Sequence, residues 1–301
     1  MLSFTEIQTL YGDLSQNAST ANLARGAKLA NIEHRYLLQK YYSNEGSFTD
    51  LTNAQQQHYR MPPNYSKLKT ITITVGDLQW TLDEIQSRRE WDQLNVFPYY
   101  SDIPSNYFIY PGGDHGTGQI GIWPIPSSSS NTITFNYKYR IPDLSIADYA
   151  TGTVSITNGD LTVTGSGTTF TTTTTPDSES RWVKIAQPLG DNLWYQVEQV
   201  SDASTLNLYA AYQGSDVSGG SYILGQMPLI PEDFQDMLVW RPLMYYFSSI
   251  VPDKLKYSEF KEAYDEKLKL LAEYSGQNTV SVNLARRPQY KNPNLYGQTF
   301  G

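Results

Sequence analysis

"GTVSITNGDLTVTGSGTTF", residues Gly152 to Phe170, reads as one complete β-hairpin. Val154 and Ile156 alternate with Ser155 and Thr157, Asn158-Gly159 supplies a two-residue turn of type I′, and Leu161 and Val163 carry the return strand. The same alternation continues in RWVKIA (181–186), LWYQVEQV (193–200), TLNLYAAY (205–212) and SYILG (221–225). Short strands separated by turns predict a sandwich- or barrel-like antiparallel module over 149–227. The threonine run Thr171 to Thr175 reads as a solvated loop or edge.

Upstream, TITITV (70–75), TGQIGIW (117–123) and TITFNYKYRI (132–141) also have a period of two. They predict a first antiparallel β module over 63–148, with Phe135, Tyr137 and Tyr139 on one face and Asn136, Lys138 and Arg140 on the other. The chain ends differ. Ser3 and Glu6 have capping-box spacing, with Leu2 and Ile7 placed as a hydrophobic staple. Leu23, Ala27, Ala30, His34, Leu37 and Tyr41 form a stripe on a helix from about Thr20 to Tyr42, and residues 1–62 read as N-terminal helices. Over 228–276, Pro231 opens a helix that Pro242 should kink. A second helix from near Asp253 carries Tyr257, Phe260, Tyr264, Leu268 and Leu271, and Gly276 marks its stop.

The expected fold is therefore α+β and multidomain. Helices from both chain ends form one bundle into which two β modules are inserted. The segment 277–301 holds no Asp or Glu but has Arg286, Arg287 and Lys291 among spaced apolar residues, and reads as an extended arm that orders on a partner.

Composition narrows the function. Of 301 residues 39% are hydrophobic and 24 are Tyr, which suits wet, aromatic-anchored protein contacts. A net charge of −8 argues against general nucleic-acid binding, yet suits DNA sliding past an acidic wall. The absence of cysteine removes thiol nucleophiles, thiolate metal sites and disulfides. No basic leader precedes an apolar run and no stretch is long enough to cross a membrane, so synthesis in the cytoplasm and no membrane partner are expected.

Catalytic chemistry is not legible. GTGQIG (116–121) matches a dinucleotide fingerprint, but it leads into IWPIP, which cannot start the helix that fingerprint needs. Asp114-His115 reads as turn chemistry, His34 as a core or interface histidine and His58 as isolated. Asp83, Glu84, Glu90 and Asp92 read as a solvated face. Asn17-Ala18-Ser19 and Asn64-Tyr65-Ser66 match a glycosylation pattern that matters only on secretion. No catalytic residue, cofactor or metal site is expected, and the chain is not expected to be an enzyme.

Three segments taken in order carry a resemblance: IGIWPIP with ITFNYKYRIPDLS, then GTVSITNGDLTVTGSGTTFT, then PLIPEDFQDMLVWRPLMYYF. At Pro124 and Pro126, Val163 to Phe170, and Pro228, Pro231 and Leu238, the chain resembles head–tail connector (adaptor or head-completion) proteins of tailed bacteriophages with an inserted immunoglobulin-like module. The resemblance implies a structural virion protein of the neck, present in the host cytoplasm during assembly. It would form a homo-oligomeric, dodecameric ring under the portal protein, pass double-stranded DNA without specific binding, and receive a downstream neck or tail protein. It also implies that the arm grips the portal through Arg286, Arg287, Tyr290, Lys291, Tyr296 and Phe300. A stopper or tail-end neck protein is the near alternative. A non-viral carbohydrate-binding adhesin, stacking sugars on Trp182 or Trp194, is the distant one.

Overall fold

A computed structural model describes residues 1–42, 44–62, 64–96, 100–110, 119–170 and 181–278. The capping box forms as its spacing dictates: Glu6 N–H donates to Ser3 Oγ at 3.1 Å and Ser3 N–H to Glu6 Oε2 at 2.8 Å, opening α1 (Phe4–Ser15). Ser19 caps α2 (Thr20–Tyr41). Gly26 lets the two helices touch, since a β-carbon there would overlap the Tyr11 ring.

After the β units, the chain makes a 3-10 turn at Glu232–Phe234, then α4 (Met237–Tyr245), a π turn at Tyr246–Ile250 and α5 (Lys254–Asn278). Helices from both chain ends share one core: Ile7, Leu37 and Leu38 pack in the same cluster as Leu238, Leu243 and Leu271. Pro242 lies inside α4, and the helical pattern widens into the π turn four residues later. Gly276 does not stop α5, which runs on to Asn278; an exposed helical glycine costs only about 1 kcal/mol.

The first β unit has two four-stranded sheets facing one core. One has the order β1 (Glu45–Leu51), β10 (Thr132–Tyr139), β3 (Tyr65–Val75), β4 (Leu78–Thr81). The other has β2 (His58–Arg60), β8 (Gln119–Trp123), β7 (Asn106–Tyr110), β5 (Asp83–Glu84). Ile71, Ile73, Ile120, Ile122, Ile133 and Phe135 are wholly buried between them. The helix α3 (Arg88–Leu94) covers the second sheet, and a short parallel pair, β6 (Ser101–Asp102) with β9 (Ile125–Pro126), lies alongside. Residues 45–60, expected within the N-terminal helical segment, instead supply β1 and β2. These are strands at sheet edges whose outward residues hide the alternation.

The second unit is one seven-stranded antiparallel sheet. Its order is β16 (Val217–Gly220), β11 (Thr153–Ile156), β12 (Thr162–Ser166), β15 (Thr205–Leu208), β14 (Trp194–Asp202), β13 (Arg181–Ile185), β17 (Tyr222–Gln226). β14 bends the sheet over its core: Trp194 to Gln196 pair with β13, Val197 to Asp202 with β15, and the register slips twice on the way. The Asn158-Gly159 turn is not of type I′. Positive φ falls on Gly159 alone (86°), because Asn158 is tied to the neighbouring loop through Asp216 Oδ1 and Gly214 O.

An extended segment, 141–149, joins all three parts. Leu144 N–H donates to Asn31 Oδ1 and Leu144 C=O accepts from Asn31 Nδ2, both at 2.8 Å. Gln226 Oε1 accepts from Ser145 N–H (2.7 Å) and Ile146 N–H (2.9 Å). Ser3 Oγ donates to Asp148 Oδ2 at 2.7 Å, and Lys184 of the second β unit stands 3.4 Å from Glu6 of α1.

Candidate partner-binding cleft

The arm residues Arg286, Arg287, Tyr290, Lys291, Tyr296 and Phe300 lie outside the described residues, as do Asp114-His115 and the threonine run. Other residues singled out in the sequence are accounted for by packing. His34 is fully buried, and its Nε2 accepts the Leu229 N–H at 3.1 Å. His58 Nε2 lies 3.1 Å from the Tyr110 hydroxyl, itself the acceptor of Trp91 Nε1–H at 2.7 Å. Asp83 and Glu84 are exposed in β5, and Asp92 pairs with Arg88 at 2.9 Å. Trp194 does not offer a bare ring for a sugar, because Lys184 Nζ sits 4.5 Å from its centre. Among the described residues, no three His, Asp or Glu side chains come together as metal ligands.

Burial pulls His34 down to about 4, with Asp143 partly opposing and Arg35 adding to the effect. A histidine held neutral in the fold but free to protonate when unfolded costs stability as pH falls through its ordinary value near 6.5. Between pH 7.5 and 5.0 this group should remove about 2 kcal/mol. His34→Gln keeps an acceptor for Leu229 without titrating, so urea unfolding of the variant should show that much less acid sensitivity. Equal sensitivity of both proteins would contradict the assignment.

The feature not singled out in the sequence is an open cleft of about 550 Å³ between α2, α4 and α5, walled by Leu29, Ile32, Tyr36, Met244, Tyr245 and Leu268. In its wall is Glu33, only 4% exposed. The Tyr264 hydroxyl donates to Glu33 Oε1, and Arg241 Nε stands 3.7 Å from Oε2 with its guanidinium over the Tyr264 ring. Burial pushes the Glu33 carboxyl up, while Tyr264 and Arg241 hold it partly back; burial likewise pushes the Tyr264 hydroxyl up. With both oxygens engaged, the carboxylate fixes two walls of the cleft and is spoken for as a base. The mouth is apolar: Ile32 is 55% exposed, Tyr36 44% and Tyr245 49%. Such a surface has the shape and chemistry to receive side chains of a partner. One signal was legible: Glu33 is the sole acid of α2 and adjoins its inward stripe.

Comparison with known proteins supports the resemblance as far as a phage adaptor protein. The profile of the SU10 adaptor protein family matches residues 5–161, just over half of the chain. The match spans α1, α2, the first β unit and β11. No curated protein matches. The chain belongs to the SU10 adaptor protein family and is a phage structural adaptor protein, a component of the virion.

Proposed function

We propose that the chain is the subunit of a dodecameric ring beneath the portal that joins capsid to tail and leaves a channel for DNA. The family match carries this reading, because it covers both N-terminal helices and the first β unit in one unbroken stretch. In this proposal the helices from the two chain ends act as one bundle and the C-terminal segment is the portal-gripping arm. That segment has three cations and no acid in a chain of net charge −8, a composition suited to grooves on another protein. The second β unit is assigned the immunoglobulin-like role at the periphery of the ring. The protein acts by binding, without catalysis, and DNA passes without specific contact.

The test is the native mass of the full chain mixed with the portal protein of its own virus, beside a chain ending at Gly276. The full chain should yield a complex with one copy per portal subunit, and truncation should abolish it. A complex unchanged by truncation would remove the arm from this role, and no complex with the full chain would overturn the portal assignment.

A further inference from the structure

α2 is amphipathic in an unusual sense for an acidic protein. Its outward stripe reads Arg25, Lys28, Ile32, Tyr36 and Lys40, all exposed, and its only acid, Glu33, is buried. None of the three cations forms an ion pair with a carboxylate among the described residues; Lys40 acts on Glu33 only at a distance, donates to the Tyr36 hydroxyl at 2.9 Å and lies over the Tyr36 and Tyr41 rings. Ile32 and Tyr36 of this stripe line the cleft, and Arg25, Lys28 and Lys40 flank them on the same exposed face of α2; the opposite wall holds Arg241, set against Glu33, and the exposed Tyr245. The result is an apolar, aromatic cleft with a cationic flank along α2.

The opposite chemistry stands at one end of the first β unit. Gly76, at φ 58°, turns β3 into β4, and the turn presents Asp77 and Leu78. Leu78 is 71% exposed, the highest value among the large hydrophobic side chains described. Across the same sheet, Leu51 pairs with Thr132, which pairs with Thr74, so Asp50 and Leu51 lie at the same end. Leu51 is 54% exposed and Asp50 is also exposed. Neither aspartate has a cationic partner among the described residues. Two exposed Asp-Leu pairs on a rigid sheet end, about 14 Å apart across three strand spacings, form a knob of acid and hydrocarbon.

We propose that the α2–α4–α5 cleft is the seat for this sheet end of a second copy of the chain. The leucines enter the apolar mouth and the aspartates face Arg25, Lys28 and Lys40. Charge complementarity selects this occupant. Because the two surfaces differ, the contact is head-to-tail, which propagates around a ring when the rotation closes. The inference deepens the adaptor reading and rests on it only for the meaning of the ring.

The experiment is sedimentation velocity of the full chain at low salt with two variants, one Asp50→Lys/Asp77→Lys and the other Arg25→Glu/Lys28→Glu/Lys40→Glu. All substituted side chains are exposed, so circular dichroism should match the parent. The parent should self-associate, and each variant alone should associate at least about 100-fold more weakly. Mixing the two variants should restore association, since each then offers the charge the other needs. Leu51→Ser/Leu78→Ser should weaken association without rescue by either charge variant. A monomeric parent, a variant that assembles normally, or a mixture that stays apart overturns the proposal. Portal binding is read separately, so either proposal can fail alone.

Discussion

Trp91→Ala is expected to destabilise the first β unit by about 4 kcal/mol. Trp91 is 1% exposed and anchors α3, a helix of only seven residues. It stacks on Phe108 with ring centres 5.4 Å apart, and its indole N–H donates to the Tyr110 hydroxyl. Gly121 of the adjoining strand exists to admit it, since a β-carbon there would overlap the indole. Alanine would leave an indole-sized void over a sheet whose backbone is held by its ladder, and would take away the donor to Tyr110. Trp91→Phe should recover part of the loss by keeping the ring contact. Urea unfolding measures both. A loss below about 1.5 kcal/mol for alanine would mean that α3 settles onto the sheet and fills the space.

Asn31→Ala should cost about 3 kcal/mol, nearly as much, for a different reason. The Asn31 amide satisfies both the N–H and the C=O of Leu144, a buried residue of the segment that joins the helical core to both β units. Alanine leaves two buried backbone groups without partners, each penalised by its own desolvation. The loss should come with faster amide exchange of residues 141–149. Unchanged exchange would show that Asn31 is not what pins this segment.

Periodicity made much of the fold legible. Ile71 and Ile73, and Ile133 and Phe135, alternate because each strand buries one face, and Ser3 with Glu6 marked the first helix because a cap needs those two side chains at that distance. Edge positions did not advertise themselves. In EGSFTDL only Phe48 packs onto the core, so β1 carries no alternation to read. α3 has one fully buried anchor, Trp91, with only Leu94 packed beside it, too few for a stripe. Gly276 looked like a stop, but a glycine reports permission to leave a helix, and α5 continues. The cleft was illegible for a deeper reason. Glu33 is tolerable in a core because Tyr264 and Arg241 meet its two oxygens from far along the chain, pairings that no local pattern encodes. The two Asp-Leu pairs, by contrast, were visible as letters and acquired meaning only when the sheet brought them to one end.

The place proposed for this chain is the junction of capsid and tail, as a structural subunit. The most direct test is a cryo-EM reconstruction of the neck of the virus that encodes it. The expected result is a ring of density directly beneath the portal into which the helical core and both β units fit, copy for copy. A neck without the chain, or the chain found only at the far end of the tail, would contradict it.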